Sequence, residues 1–361
     1  MRLVIYGLSI TSSWGNGHAT TYRALVRAMA ARGHSIVFVE KDVEWYRSHR
    51  DPINPEICTV LLYEDWSREA SRLLQASAGA DAVMIGSYFS DAIAATLGLL
   101  ERNSCPLLFY DIDTPITMAA LRGRAASAYL DASLIPHYAA YLSFTGGGVL
   151  RELEERFGSP RAVPFYCSVD PDLYQPAALQ DQYCCDLGYL GTYAADRQDK
   201  LVELLNKPAS ALALHSFIVA GPQYPQEVEW PSNVRRIEHL APAEHPAFYS
   251  SSRFTLNLTR ADMILAGYSP SVRIFEASAC GCAILSDRWN GIEEFLTPGQ
   301  EILLVNEAKD VIAVLEDISE EQRIRIGRQA RERILSQHTS AHRVAQLEQL
   351  ISELSSKHSV F

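Results

Sequence analysis

Four stretches of the chain combine side chains that do chemistry with the small residues that let a ligand reach them. Trp14-Gly15-Asn16-Gly17-His18 ends in a histidine, the side chain that ordinarily titrates closest to neutrality. Its glycines allow backbone to approach a ligand, and a helix starting at His18 would turn its first N–H groups outward. A capping loop with an incidental histidine fits the same residues. Asp111-Ile112-Asp113-Thr114-Pro115 sets two carboxylates directly after the apolar run Leu107–Tyr110. Spaced by two, both point to a similar side if the chain stays extended, where they can accept protons or hold hydroxyls. Equally, Asp113 or Thr114 can cap a helix entered through Pro115. Gly191-Thr192, followed by Arg197 and Lys200, offers backbone and hydroxyl donors and a cation, a set suited to a phosphate. An Arg and a Lys three apart also mark an ordinary solvated helix face. In Ser271-Val272-Arg273-Ile274-Phe275-Glu276-Ala277-Ser278-Ala279-Cys280-Gly281, one glutamate stands in an apolar helix. A buried carboxylate needs hydrogen-bond donors, and ribose hydroxyls are good ones.

These residues need a scaffold that brings loop ends together, and the hydrophobic pattern predicts one. Buried strands are expected at Leu3–Tyr6, Ile36–Val39, Ala82–Ile85, Leu107–Tyr110, Tyr141–Phe144 and Ala162–Phe165. Amphipathic segments lie between them, the first with Tyr22, Leu25, Val26 and Met29 on one face and Gly33 as its stop. A second alternation has strands at Leu187–Leu190, Ser216–Ala220, Val234–Ile237, Phe254–Leu258, Ala283–Leu285 and Ile302–Val305. A helical tail is expected from Ser319 to Lys357. Such alternation means parallel sheets covered on both faces. The expectation is α/β: two Rossmann-like doubly wound domains facing across a cleft, with a C-terminal helical tail. The bounds are 1–165, a proline- and aspartate-bearing linker 166–182, a second domain 183–335, and a tail 336–361 that can pack back on the first domain. Ligands in open α/β sheets gather at the carboxyl ends of the strands.

Bulk properties narrow the class. The 361 residues are 48% hydrophobic and 21% charged, with a formal charge of −11, so the basic footprint of a nucleic-acid binder is absent. Cys58, Cys105, Cys167, Cys184, Cys185, Cys280 and Cys282 form no paired C-x-x-C knuckles, so no metal site is expected. Buried thiols, no signal sequence and no long apolar run imply a cytoplasmic protein without a membrane span. Gly15-x-Gly17-x-x-Thr20 with a later Glu40 echoes a dinucleotide fingerprint. The third glycine is missing, however, and Gly7, not Gly15, follows the first strand.

The segment Arg273-Ile-Phe-Glu276-Ala-Ser-Ala-Cys-Gly281-Cys-Ala-Ile-Leu-Ser286 resembles the donor-domain signature of GT-B glycosyltransferases of group 1 type. Ser168-Val-Asp-Pro-Asp-Leu-Tyr174-Gln-Pro176 resembles the segment leading into that domain. Together with Trp14–His18 and Asp113-Thr114-Pro115, the chain is most similar to the CgeB-like spore-maturation branch. The resemblance implies a metal-independent glycosyltransferase without a cofactor, whose co-substrate is a nucleoside-diphosphate sugar, UDP-linked in preference, and whose acceptor bears a hydroxyl. It implies that Glu276 binds ribose, with Ser271 and Arg273 beside it in the same signature. Gly191, Thr192 and Arg197 would face the diphosphate, and Asn290-Gly291 the diphosphate and donor sugar. His239-Leu240 would recognise the base through backbone groups. His18 and Asp113 are the candidate bases, with Trp14, Gly15, Asn16, Gly17, Asp111 and Thr114 on the acceptor side. The family's paired-glutamate pattern places an acid eight residues before Glu276, and here that residue is Tyr268. Two alternatives share these features: a nucleotide-sugar epimerase of the same fold, and a catalytically silent nucleotide-sugar-binding partner protein.

Overall fold

A computed structural model describes residues 1–14, 17–102, 105–123 and 127–358, and divides the chain into two units. Unit 1 is Met1–Ser168 with Ser340–Phe361, and unit 2 is Val169–Thr339. Unit 1 holds strands β1 (Arg2–Tyr6), β2 (Ser35–Lys41), β3 (Thr59–Tyr63), β4 (Ala82–Gly86), β5 (Leu107–Asp111), β6 (Ala140–Ser143) and β7 (Ala162–Pro164). They form one parallel sheet in the order β3-β2-β1-β4-β5-β6-β7. Leu3-Val4-Ile5-Tyr6 and Ala82-Val83-Met84-Ile85 are fully buried, as strands covered on both faces must be. The helix His18–Ala31 buries the expected face of Tyr22, Leu25, Val26 and Met29.

Unit 2 repeats the plan with β8 (Cys185–Leu190), β9 (Phe217–Ala220), β10 (Val234–Ile237), β11 (Ser252–Asn257), β12 (Ala283–Ser286) and β13 (Leu303–Leu304). These too are parallel, in the order β10-β9-β8-β11-β12-β13. Its core sets Leu187, Tyr189, Phe217 and Phe254 of the sheet against Leu201, Leu205, Val311 and Leu315 of the helices. Each such side chain contributes roughly 1.5–3 kcal/mol by leaving water. Both units are therefore Rossmann-like and doubly wound. No helix among the described residues is long and apolar enough to cross a membrane.

One strand adds to the sequence expectation, and the expected tail is divided. Strand β3 was not foreseen, although Val60-Leu-Leu-Tyr63 is as continuous an apolar run as Leu3–Tyr6; at the sheet edge it is only partly buried. The helical tail expected from Ser319 is made of two helices, Glu320–Gln337 and Ser340–His358. Between them the backbone turns extended: Val169 N–H donates to His338 O at 3.1 Å, and Val169 and Thr339 form an isolated parallel bridge. This long-range pairing interrupts the helical ladder.

In both sheets the winding direction reverses beside the first strand, between β1 and β4 and between β8 and β11. At such a point the following loops diverge and leave a crevice at the carboxyl edge. Close backbone contact shapes the one in unit 2. Gly221, just past β9, has φ 142°, and a Cβ there would stand 2.1 Å from Gly191 O. Gly221→Ala should therefore destabilise the protein by roughly 3 kcal/mol, measurable by urea denaturation. An unchanged midpoint would mean that the two turns do not touch.

Candidate functional sites

In unit 1, the loops after β1, β4 and β5 meet at the switch point. His18 opens the helix after β1, and Asp113 follows β5. Their side chains meet at 2.7 Å, His18 Nε2 to Asp113 Oδ2. An ionised carboxylate only accepts, so Nε2 is the donor in this pair and Nδ1 is the nitrogen left over. That Nδ1 is buried and has no hydrogen-bond partner among the described residues. An oriented imidazole with an unused basic nitrogen is a group able to take a proton from a hydroxyl. The two stretches expected on the acceptor side are thus brought together, His18 of one against the Asp113 carboxylate of the other.

Asp111 plays a different part. It is buried, and accepts hydrogen bonds from Tyr141 Oη at 2.5 Å and Thr117 Oγ1 at 2.8 Å. Burial raises its pKa to about 7, outweighing the opposing hydrogen bonds from Tyr141 and Thr117. Thr114 is also inward, donating to Asp111 O at 3.0 Å and accepting from Ser143 Oγ at 2.9 Å. Asp111 and Thr114 hold the loop that presents Asp113. Trp14 lies to one side, stacked on His49 with ring centroids 4.1 Å apart. Gly17 precedes His18 at the helix start, and Gly15 and Asn16 lie outside the described residues. Glu40 has a structural task here. It accepts from Ile10 N–H at 2.6 Å, Thr11 N–H at 3.0 Å and the hydroxyls of Ser9 and Thr11, fixing the loop after β1.

In unit 2, Glu276 is buried, and burial raises its pKa to about 7 against hydrogen bonds from Tyr174 and Tyr249 and the charge of Arg273. Tyr174 Oη also lies 3.3 Å from His245 Nδ1, and burial holds the His245 pKa down at about 4. The neighbouring Arg273 spends its guanidinium on the fold. Nε and Nη2 donate to Leu190 O at 2.8 and 2.6 Å, and Nη1 donates to Asn257 Oδ1 at 2.9 Å. Ser271 Oγ donates to the same Asn257 oxygen at 2.6 Å. Arg273 and Ser271 thereby tie the ends of β8 and β11 to the helix Val272–Ala279 that carries Glu276.

The turn after β8 departs from expectation at Gly191. Its N–H donates to Ala220 O at 2.8 Å, so that amide is committed to the fold and not to an anion. Arg197 Nη2 donates to Thr192 O at 2.7 Å, while Arg197 Nε is buried without a partner among the described residues. Lys200 pairs with Asp287, whose carboxylate also takes Thr259 N–H and Oγ1. Leu240 O accepts from His245 Nε2 at 3.3 Å, and His239 precedes it in the loop after β10. Tyr268, standing where the second acid was sought, has φ 48° and donates its N–H to Asn290 O at 2.6 Å. A Cβ on Gly291 would lie 2.3 Å from the Tyr268 ring, so the Tyr268 and Asn290-Gly291 loops are packed face to face. Sequence reasoning missed Tyr174, Tyr249, Asn257 and Asp287, which surround these residues; each is unremarkable in its own segment. Among the described residues no group of three or more His, Cys, Asp or Glu side chains is arranged to hold a metal ion.

Asp111 and Glu276 make stability depend on pH. Both are protonated more readily in the folded chain than in the unfolded one, where they titrate near 3.8 and 4.5. Their contribution is complete below those values and is lost as pH rises through about 7. Asp111→Asn keeps an acceptor for Tyr141 and Thr117 but cannot titrate. It should flatten the fall in melting temperature between pH 5 and pH 8, and a slope as steep as the wild type's would refute the assignment to Asp111.

Residues 197–349 match the family described as Glycosyl transferase-like. No curated protein matches the chain. Among solved structures, it is similar to sucrose-phosphate synthase from Thermosynechococcus elongatus at 14% identity and a TM-score of 0.68, covering 99% of this chain and 100% of that one. HepE of Anabaena in complex with UDP-glucose matches at 12% identity and a TM-score of 0.70, covering 98% and 100%. A glycosyltransferase from Rickettsia africae matches at 11% and 0.68, covering 98% of each. At these identities the likeness establishes the GT-B fold.

Proposed function

We propose that the chain is a GT-B glycosyltransferase of group 1 type that moves a sugar from a UDP-sugar to an acceptor hydroxyl. Unit 2 is the donor domain and unit 1 the acceptor domain. The observation that carries the reading is the His18–Asp113 pair with its buried, unused Nδ1. Such a base accepts the hydroxyl proton as the acceptor oxygen attacks the anomeric carbon. Glu276 holds ribose hydroxyls, and Asn290-Gly291 with Tyr268 bounds the donor sugar. HepE, similar in fold, binds UDP-glucose, which favours uridine and a hexose as the donor parts.

Departure of the nucleoside diphosphate builds negative charge, and Arg197 is the group placed to meet it. Its Nη2 is fastened to the Thr192 carbonyl while its Nε is left over. With a cation in that role, the reaction proceeds without a metal ion. The CgeB-like branch remains the finer assignment we favour, on Trp14–His18 and Asp113-Thr114-Pro115. All seven cysteines are free thiols and most are buried, which supports a reducing, cytoplasmic setting.

The test is transfer from UDP-glucose followed by product analysis. Arg197→Ala should lower kcat more than it raises the donor KM, the pattern of a group that acts in the transition state. EDTA should leave both proteins unchanged. Equal kinetics in mutant and wild type would return Arg197 to a structural role, and loss of activity with EDTA would overturn the metal-free mechanism. Turnover of donor without acceptor would point to epimerisation instead.

A further inference from the structure

Tyr88 sits beside the His18–Asp113 pair in a conformation that its own fold does not favour. Its φ of 61° is one of three positive values at non-glycine positions among the described residues. Left-handed backbone at a bulky residue costs about 1–3 kcal/mol and persists where neighbours over-determine it. They do so here. Ser87 is buried, its N–H donating to Tyr110 O at 2.8 Å and its hydroxyl accepting from Ile112 N–H at 3.0 Å. Phe89 is buried among Tyr6, Tyr63 and Trp66. With both neighbours fixed inward just past β4, Tyr88 is turned outward and stays 38% exposed.

The ring is held in place by other aromatics. It lies perpendicular to His18, centroids 5.6 Å apart, and 4.7 Å from Tyr129 at 39°. Tyr129 is itself buried, its hydroxyl 2.8 Å from Thr117 Oγ1. Nearby, the Asp113 side chain is 36% exposed and can accept a further hydrogen bond. The partly exposed Tyr88, the Asp113 carboxylate and the imidazole of His18 with its unused nitrogen thus lie side by side at the loop ends after β4, β5 and β1. A flat, wholly apolar ligand would leave the carboxylate and the imidazole unpaired. A pyranose satisfies all three, with C–H groups on one face and hydroxyls around its rim.

We infer that Tyr88 is the acceptor platform and that the acceptor is a saccharide, its ring stacked on Tyr88 and its reacting hydroxyl at His18 Nδ1. This rests on the glycosyl transfer proposed above and adds the acceptor's chemical class. Tyr88 determines specificity through binding, and His18 performs the proton transfer.

The probes are the methyl β-glycosides of glucose, galactose and mannose, followed by saturation-transfer NMR at millimolar concentration. At least one should bind the wild type, with saturation strongest on the protons of one ring face. Tyr88→Phe should keep that binding. Tyr88→Gly should weaken it about ten-fold, the scale of one aromatic stacking contact. Glycine is relaxed at this φ, so the melting temperature of Tyr88→Gly should equal or exceed the wild type's, which separates lost binding from lost fold. Equal binding by Tyr88→Gly overturns the inference. So does a wild type that binds UDP-glucose, seen as a raised melting temperature, yet none of the glycosides. If neither UDP-glucose nor any glycoside binds, the glycosyltransferase reading fails with it.

Discussion

Replacing His18 by alanine is expected to lower turnover by about 10²–10⁴-fold while leaving UDP-sugar binding intact, the usual range for a lost general base. The expectation follows from the hydrogen bond that fixes its tautomer. Asp113 Oδ2 engages Nε2 at 2.7 Å, so the basic lone pair is on Nδ1, which is buried and has no partner among the described residues. His18→Asn retains hydrogen bonding but cannot take a proton at neutral pH, and should be nearly as impaired. Asp113→Asn should also lose activity, because an amide beside Nε2 no longer enforces the tautomer. Recovery of most activity by His18→Asn would make His18 a positioning group. The anomeric configuration of the product, read by NMR, tests the premise: inversion requires this base, and a retained configuration removes the requirement.

Glu276 carries the second large effect. Glu276→Gln keeps the side chain's shape but replaces one acceptor oxygen with a donor, so it can no longer receive both hydroxyls of a ribose. Nucleotide-sugar affinity should fall by roughly 1–3 kcal/mol, measured by calorimetry. Glu276→Ala should weaken binding as much and also destabilise the fold, since it leaves Tyr174 and Tyr249 without their acceptor. The pH dependence distinguishes a ligand carboxylate from a structural one. Its pKa is raised to about 7 by burial, and two hydroxyl donors favour the ionised form. Affinity for UDP-glucose should therefore rise between pH 6 and pH 8 in the wild type and stay flat in Glu276→Gln. Parallel profiles would assign Glu276 to the core.

Much of the fold was legible because a doubly covered parallel strand is a continuous apolar run, as in Leu3–Tyr6 or Ala283–Leu285. What escaped was set by partners distant in sequence. The edge strand Thr59–Tyr63 is an exception, since its Val60–Tyr63 run is as apolar as those of the inner strands. The helix break at His338-Thr339 is made by Val169. The same division holds at the sites. His18 and Asp113 each stand out in their own loops, and Glu276 stands out as a carboxylate in an apolar helix. Their partners do not. Nothing local marks Tyr174 as a donor to Glu276, or commits the Gly191 amide to Ala220. Tyr88 was invisible because its importance lies in a backbone angle and in two neighbours that point inward. Glu40 holds the loop after β1 by accepting from Ile10, Thr11 and Ser9.

The central claim is that the folded chain binds a nucleotide sugar, and thermal denaturation with added ligand tests it most directly. A ligand that binds only the folded state raises the melting temperature by mass action, with about 2.7 kcal/mol gained at a hundredfold excess over Kd. UDP-glucose, UDP-galactose, GDP-mannose and ADP-glucose should be compared on the wild type and on Glu276→Gln. A rise with at least one UDP-sugar, reduced in Glu276→Gln, is the expected result. No shift with any of the four, or an equal shift in the variant, would contradict it.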